Sequence, residues 1–390
     1  MNPFQIDIPV KVLFGAGQLN RLHEQALPGK KALIVISSGK STRANGYLDR
    51  TEKELAAAGA AAEVFAGIQA NPTLESVGKG AQAARAMGAD MIVALGGGSV
   101  MDAAKAIALM AVNEGNLWDY VGSGTGKGQK YAHRALPVIA ITTTAGTGSE
   151  VDATSVITNQ ETHEKIGLKF PDLYPCLAIV DPELMLTVPP RLTAFQGFDA
   201  LFHSLETYVN RKANLMSDMV ASTAIRNIGA FLPRAVAQGD DVEARTHMAF
   251  ANTLSGYAMV LGGCTSEHSL EHAMSAYHEV LPHGAGLIML SLAYFGWLAE
   301  HHVCDDRLVD LARFLGRKDA SRPEDFLEAL ASLQKACGVD GLKMSEYGIT
   351  PEEFPKMAEN ATTAMKGLFL NDRMPLSRED CVAVYQKAYR

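Results

Sequence analysis

Two hydrophobic periods divide this chain of 390 residues. In the first half, short β-branched runs that are apolar at nearly every position alternate with Ala-rich stretches. The runs include KALIVIS (31–37), DMIVALGG (90–97), LPVIAITTT (136–144) and CLAIVDP (176–182), with helical patterns such as LESVGKGAQAARAMGA and MDAAKAIALMAVN between them. A continuously apolar strand is buried on both faces, and strands alternating with helices build a parallel sheet covered on either side. This predicts an α/β N-terminal nucleotide-binding domain on a doubly wound, Rossmann-like parallel sheet. From VPPRLTAFQGFDALFHSLETYV onward the strand signal disappears. A 3.6-residue period takes over in MSDMVASTAIRNIGAFLPRAVA, EARTHMAFANTLSGYAMVL, RLVDLARFLGR, EDFLEALASLQKACG and REDCVAVYQKAY, which predicts an all-α C-terminal domain. The period changes within DPELMLTVPP (181–190), so the domains are expected at 1–185 and 186–390, with ligands in the cleft between them.

The helical half carries the clearest chemistry. Asp199 and His203 form D-x-x-x-H, His268 and His272 form H-x-x-x-H, and His283 follows a proline. Residues four apart on a helix share one face, one turn apart. Two such pairs and a further imidazole can enclose a divalent cation with nitrogen and carboxylate donors and no thiolate. One buried Asp–His pair is an ordinary hydrogen bond, but several imidazoles at helical spacing are costly to bury without a shared purpose. His278 also lies in this stretch, so the assignment of individual histidines stays open. His23, His133, His163, His247, His301 and His302 read as surface or structural residues.

Two polar turns follow strands in the first half. Gly96-Gly97-Gly98-Ser99 ends one strand and opens a helix, where glycines admit a pyrophosphate and the helix N-terminus offers free amides. The same glycines also suit an ordinary tight βα turn. Asp102, in the first turn of that helix, complements the dipole or accepts from a cofactor amide. Thr142-Thr143-Thr144-Ala145-Gly146-Thr147-Gly148-Ser149-Glu150 closes another strand with hydroxyls suited to phosphate and ribose.

Composition narrows the classes. The net charge is −8 without a basic patch, which argues against nucleic acid as a partner. Five dispersed cysteines, without CxxC spacing, fit a reducing, cytoplasmic setting. The N-terminus shows no basic segment followed by an apolar run, and GLIMLSLAYFGWLA is too short to span a bilayer, so it reads as a buried helix with no membrane association.

FGAG (14–17), NPT (71–73), GGGSVMDAAKAIA, TTTAGTGSE, IVDPEL, GFDALFHSLE, LPHGAG and NDRMP (371–375) together make the chain resemble the iron-containing (group III) alcohol dehydrogenase family over nearly its whole length. The resemblance implies reversible hydride transfer between a small primary alcohol or diol and NAD(P), in a homodimer or larger assembly. It implies Asp199, His203, His268 and His283 as ligands of Fe(II), a donor set that suits Zn(II) equally. It places His272, or His278 in a stretch one residue longer than expected, as the proton relay. Lys165 is implied near the nicotinamide ribose, and Asn71, Gly97, Gly98, Ser99, Asp102, Thr142, Thr143 and Thr147 at the cofactor site. Val151, Leu254, Tyr257, Met259 and Cys264 are candidate pocket residues. One departure concerns the dinucleotide. NAD-preferring members carry an acid after the second strand, whereas Ser37, Ser38, Gly39, Lys40, Ser41, Thr42 and Arg43 stand here; small hydroxyls and two cations accept a 2′-phosphate and favour NADP(H) over NAD(H). The alternatives on the same scaffold are glycerol dehydrogenase-like and dehydroquinate synthase-like enzymes. The latter needs phosphate-binding cations, and no such set accompanies the histidines.

Overall fold

A computed structural model of the chain describes residues 2–390. The apolar runs of the first half become strands. In chain order β1 is Lys11–Phe14, β2 Lys31–Ser37, β3 Ala61–Ile68, β4 Met91–Gly96, β5 Val138–Thr142, β6 Thr154–Asn159, β7 Glu164–Lys169 and β8 Leu177–Val180. Six of them form one sheet in the order β1-β8-β5-β4-β2-β3, and every neighbouring pair is parallel. The helices between them are α1 (Ser41–Ala44), α2 (Tyr47–Ala57), α3 (Leu74–Met87), α4 (Gly98–Met110) and α5 (Leu117–Tyr120). The expected parallel, doubly wound architecture is therefore present.

The two sheet faces differ in side-chain size. Ile34 and Ile36, Val93 and Leu95, Ile139 and Ile141, and Leu177 and Ile179 pack with Leu19, Leu22, Leu48 and Leu55 in one core. The alternate positions include Ala94, Ala140 and Ala178, and α4 lies against β4 and β5 with its own alanines buried. Small residues on both sides let helix and sheet approach closely. The strand order reverses between β2 and β4, so the loops that follow these two strands flank the crevice where such sheets bind ligands.

A second, two-stranded sheet of β6 and β7 was not foreseen. Residues 160–163 join its strands, too short a link for a parallel crossover. Thr158 N bonds Pro72 O at 2.8 Å, tying β6 to the segment after Asn71.

The described residues divide into two units. One comprises Asp7–Thr162 and Ile166–Thr187; the other comprises Val188–Arg390, His163–Lys165 and the N-terminal segment up to Ile6. From Val188 onward the second unit is helical: α6 (Pro190–Val209), α7 (Leu215–Ala237), α8 (Val242–Leu261), α9 (Ser266–Tyr277), α10 (His283–Glu300), α11 (Asp305–Phe314), α12 (Glu324–Ala336), α13 (Phe354–Ala364), α14 (Lys366–Phe369) and α15 (Arg378–Ala388). The apolar stretch GLIMLSLAYFGWLA lies in α10, which is buried along most of its length. Among the described residues, no helix is long and apolar enough to cross a membrane.

The turn after β4 depends on missing side chains. A Cβ on Gly98 would stand 2.2 Å from Thr147 Cγ2, and one on Gly97 2.9 Å from Thr144. The β4–α4 turn and the loop after β5 are thus in backbone-to-side-chain contact. Gly98→Ala is expected to destabilise the fold by about 1–3 kcal/mol through overpacking, with Thr147→Ala in the same chain recovering part of the loss; denaturant titration of the three proteins checks this.

Candidate active site

Three helices of the second unit bring the predicted metal donors together. Asp199 and His203 lie one turn apart on α6, His268 lies on the first turn of α9, and His283 is the first residue of α10. Gly284 explains how α10 reaches this position. A Cβ there would lie 2.1 Å from Phe195 O, so only glycine allows the start of α10 to rest on the α6 backbone, one turn before Asp199. The Nε2 atoms of His203, His268 and His283 stand 3.7, 3.8 and 3.4 Å from Asp199 Oδ1. Donors about 2.1 Å from a common tetrahedral centre are about 3.4 Å apart. Asp199 Oδ1 and His268 Nε2 are buried with no hydrogen-bond partner. One carboxylate and three imidazoles, converging with unsatisfied lone pairs, fit a divalent cation such as Fe(II) or Zn(II).

The electrostatics agree with this reading. Burial pushes the Asp199 carboxyl upward, but His203, His283 and His268 outweigh it and hold the group well below the usual carboxylate range. Burial brings His203 down to about 4 against the pull of Asp199, and His268 and His283 add to the depression. Both groups therefore present lone pairs at neutral pH. Burial also disfavours charge on His268, yet Cys264, Glu206 and Asp199 raise it well above the ordinary imidazole value, so a cation at this nitrogen would have to displace a proton.

His272 lies beside these donors, its ring centroid 5.3 Å from that of His283 and 6.4 Å from that of His268. Burial and then Lys165, His283 and His268 push it well below the ordinary value, which keeps it neutral. His278 follows the end of α9 and pairs with Glu353 at 3.1 Å, so of the two histidines it is His272 that joins the cluster. Lys165 is buried in the same unit, with Nζ 2.9 Å from Ser275 Oγ and 3.5 Å from Glu271 Oε2.

The cofactor candidates other than Lys165 lie in the first unit. Gly97 caps α4 without a side-chain bond, and Gly98 and Ser99 open its first turn. Thr143 is partly exposed beside them, its N–H bonded to Gly96 O at 3.0 Å. Three candidates are instead engaged within the protein. Thr142 Oγ1 donates to Thr144 O, Thr147 Oγ1 accepts from Ser149 N, and Asp102 accepts from Ser149 Oγ at 2.6 Å and Val156 N at 3.0 Å. Asp102 is not in the open part of the turn; burial pushes its carboxyl up to about 6 while Lys105 pulls it down. Asn71 holds a left-handed backbone, φ 55°. Ser37, the last residue of β2, is half-buried, and Ser38, Gly39, Lys40, Ser41 and Arg43 beyond it are exposed.

Comparison with known proteins matches residues 9–182 to the iron-containing alcohol dehydrogenase family and residues 193–389 to the C-terminal part of the Fe-containing alcohol dehydrogenase family. The chain belongs to the iron-containing alcohol dehydrogenase family. A 1,3-propanediol dehydrogenase of Citrobacter freundii is 34% identical over 92% of each chain, and NADH-dependent butanol dehydrogenase A of Clostridium acetobutylicum is 29% identical over 100% of each. The crystal structure of an archaeal halo-thermophilic alcohol dehydrogenase from a Red Sea brine pool superposes with a TM-score of 0.94 at 31% identity, covering 100% of this chain and 99% of that one. The protein is thus an oxidoreductase of the alcohol dehydrogenase class.

The family's motifs acquire physical roles here. In LPHGAG, Pro282 sets the entry to α10, His283 is the predicted donor and Gly284 the point of close approach. In NDRMP, Asn371 Nδ2 bonds Cys264 O at 2.8 Å and Asp372 Oδ1 accepts from Ser266 N at 3.1 Å, which braces the start of α9. Sequence reasoning missed Glu206 and Glu271. Both are fully buried, and their carboxylates take Nδ1 of His268 and of His283 in close hydrogen bonds. Each stands three residues after a histidine of the set on the same helix, a spacing that was available in the sequence. Cys264, read as a pocket residue, has Sγ within 4.8 Å of ring nitrogens of His203 and His268, and burial raises its thiol pKa.

His268→Ala and His283→Ala are each expected to remove bound metal and activity together, measured by elemental analysis beside an assay. Stoichiometric metal in both overturns the donor set. His272→Ala is expected to keep metal and lose roughly 10²–10⁴-fold in rate; metal lost with it makes His272 a donor.

Proposed function

We propose that the protein interconverts a small primary alcohol or diol and its aldehyde, with hydride passing between the substrate carbon and C4 of a nicotinamide dinucleotide. The observation that supports this most is the convergence of Asp199, His203, His268 and His283 around one point within a chain of this family. We assign these four residues to hold one divalent cation, Fe(II) in preference to Zn(II). When bound, such a cation supplies Lewis acidity, favouring loss of the alcohol proton in one direction and polarising the carbonyl in the other.

The chain's own groups do the rest. His272, neutral and buried, accepts the alcohol proton at an imidazole nitrogen and passes it on. Lys165, held by Ser275 and Glu271, offers its ammonium to the ribose side of the nicotinamide. The first-turn amides at Gly97–Ser99, with the positive end of α4, take the pyrophosphate. The nicotinamide carries the hydride; the protein orients it and excludes water.

The loop after β2 supports NADP(H). Ser38 and Ser41 offer hydroxyls, Lys40 and Arg43 are exposed cations, and no acid stands in residues 37–43 to repel a 2′-phosphate. Several relatives are named for NAD or NADH, so this loop alone carries the distinction. Five free cysteines support cytoplasmic residence, and we propose a homodimer or larger homo-oligomer, which light scattering at working concentration checks.

The function is tested by an anaerobic assay of Fe(II)-loaded protein with butanal or lactaldehyde, following the near-ultraviolet band of reduced nicotinamide. Oxidation of NADPH well above NADH is the expected result. Preference for NADH keeps the enzyme and overturns the reading of residues 37–43; no oxidation of either, with metal confirmed, overturns the proposed reaction.

A further inference from the structure

One buried carboxylate stands among groups already assigned, without a role of its own. Glu271 lies on α9 directly before His272 and has no exposed surface. Its Oε2 takes His283 Nδ1 in a close hydrogen bond and lies 3.5 Å from Lys165 Nζ, while Oε1 has no partner. Ser275, one turn further along the same face, bonds Lys165 Nζ at 2.9 Å and returns its hydroxyl proton to Glu271 O at 3.2 Å. Room for the side chain comes from α10: a Cβ on Gly286 would stand 2.7 Å from Glu271 Cγ and 2.9 Å from Oε1. A carboxylate buried this deeply is costly unless paired, and here one oxygen serves a cation and an imidazole together.

We propose that Glu271 is a positioning residue with two tasks inside the helical unit: it fixes the tautomer of His283 and tethers Lys165. An imidazole that donates Nδ1–H to a carboxylate must keep its lone pair on Nε2, the atom 3.4 Å from Asp199 Oδ1. The carboxylate also makes that imidazole a more basic donor. On the other side, an ammonium has three N–H groups. Ser275 and Glu271 hold two of them, leaving one for a bound dinucleotide. Glu271 thereby fixes a metal donor and a cofactor contact from a single rigid helix position. The inference rests on His283 being a metal donor, as proposed above.

The test titrates metal-free protein with Zn(II) against a chromophoric chelator, with circular dichroism confirming folding. It compares wild type, Glu271→Gln, the double variant Glu271→Gln/Lys165→Met, and His283→Ala. Glu271→Gln is expected to lose roughly 10–100-fold in zinc affinity and to melt lower, because Lys165 is left buried without its counter-charge. The double variant is expected to regain the melting temperature but not the zinc affinity. Wild-type zinc affinity in the single variant, or its return in the double variant, overturns the proposal and leaves Glu271 as a charge partner of Lys165 alone. Wild-type affinity in His283→Ala overturns the donor assignment itself, and the inference with it. If Glu271→Gln does not fold, Gly286→Ala displaces the same carboxylate while keeping its charge; reduced zinc affinity there supports the proposal and unchanged affinity overturns it.

Discussion

Asp199 Oδ1 is the point around which the helical unit is organised. It is buried, has no hydrogen-bond partner, and has three imidazole nitrogens within 3.4 to 3.8 Å. Within a protein interior such an atom is costly, since water is lost and nothing donates in return. The cost falls on three helices at once, because α6, α9 and α10 each carry a member of the set. Their mutual placement is therefore part of the chemistry. The glycines of α10, the buried carboxylates of α6 and α9 and the brace from residues 371–372 all serve to hold this convergence.

Behind the proposed donors the polar groups form a graded network. Glu206 accepts from Thr265 N and Oγ1 at 2.7 and 2.8 Å as well as from His268, and Tyr294 OH reaches Thr265 Oγ1 at 3.0 Å and Asp372 Oδ1 at 3.3 Å. This chain pins the first turn of α9, the turn that carries His268. His203 has no such support, and its Nδ1 is unpaired. Two of the three imidazoles are thus oriented by carboxylates and the third by helix packing and by its stack on His268, with ring centroids 4.4 Å apart. Networks of this kind rigidify a site when most members are satisfied.

What the sequence revealed follows from burial. The runs at 31–37, 91–96, 138–142 and 177–180 were legible because both faces of those strands are covered, leaving polar residues only at their ends. The pair β6 and β7 was not, because TSVITN and EKIGLK mix polar and apolar positions within a stretch already rich in loop signals. In the site, histidines and an aspartate at helical spacing were conspicuous, since few other purposes justify burying them. Glu206 and Glu271 were not, because glutamate on a helix normally faces water and only the fold shows that these two do not. The internal partners of Asp102 were hidden for a related reason. It lies beyond the first turn of α4, where a residue far along the chain, Ser149, and the strand at Val156 engage its oxygens.

The contact between Gly284 and Phe195 has a consequence for how this protein can change. Ordinarily a helix interface tolerates drift, as side chains swap and axes slide by fractions of an ångström. Here backbone meets backbone beside a donor, so the separation of α6 and α10 and the reach of His283 are one variable. Substitutions that tighten or fill this interface, a common source of thermostability elsewhere, shift the donor as they do so. The region around Phe195 and Gly284 is therefore a place where adaptation to heat and adaptation of the reaction must proceed together, while the outer helices remain free to vary alone.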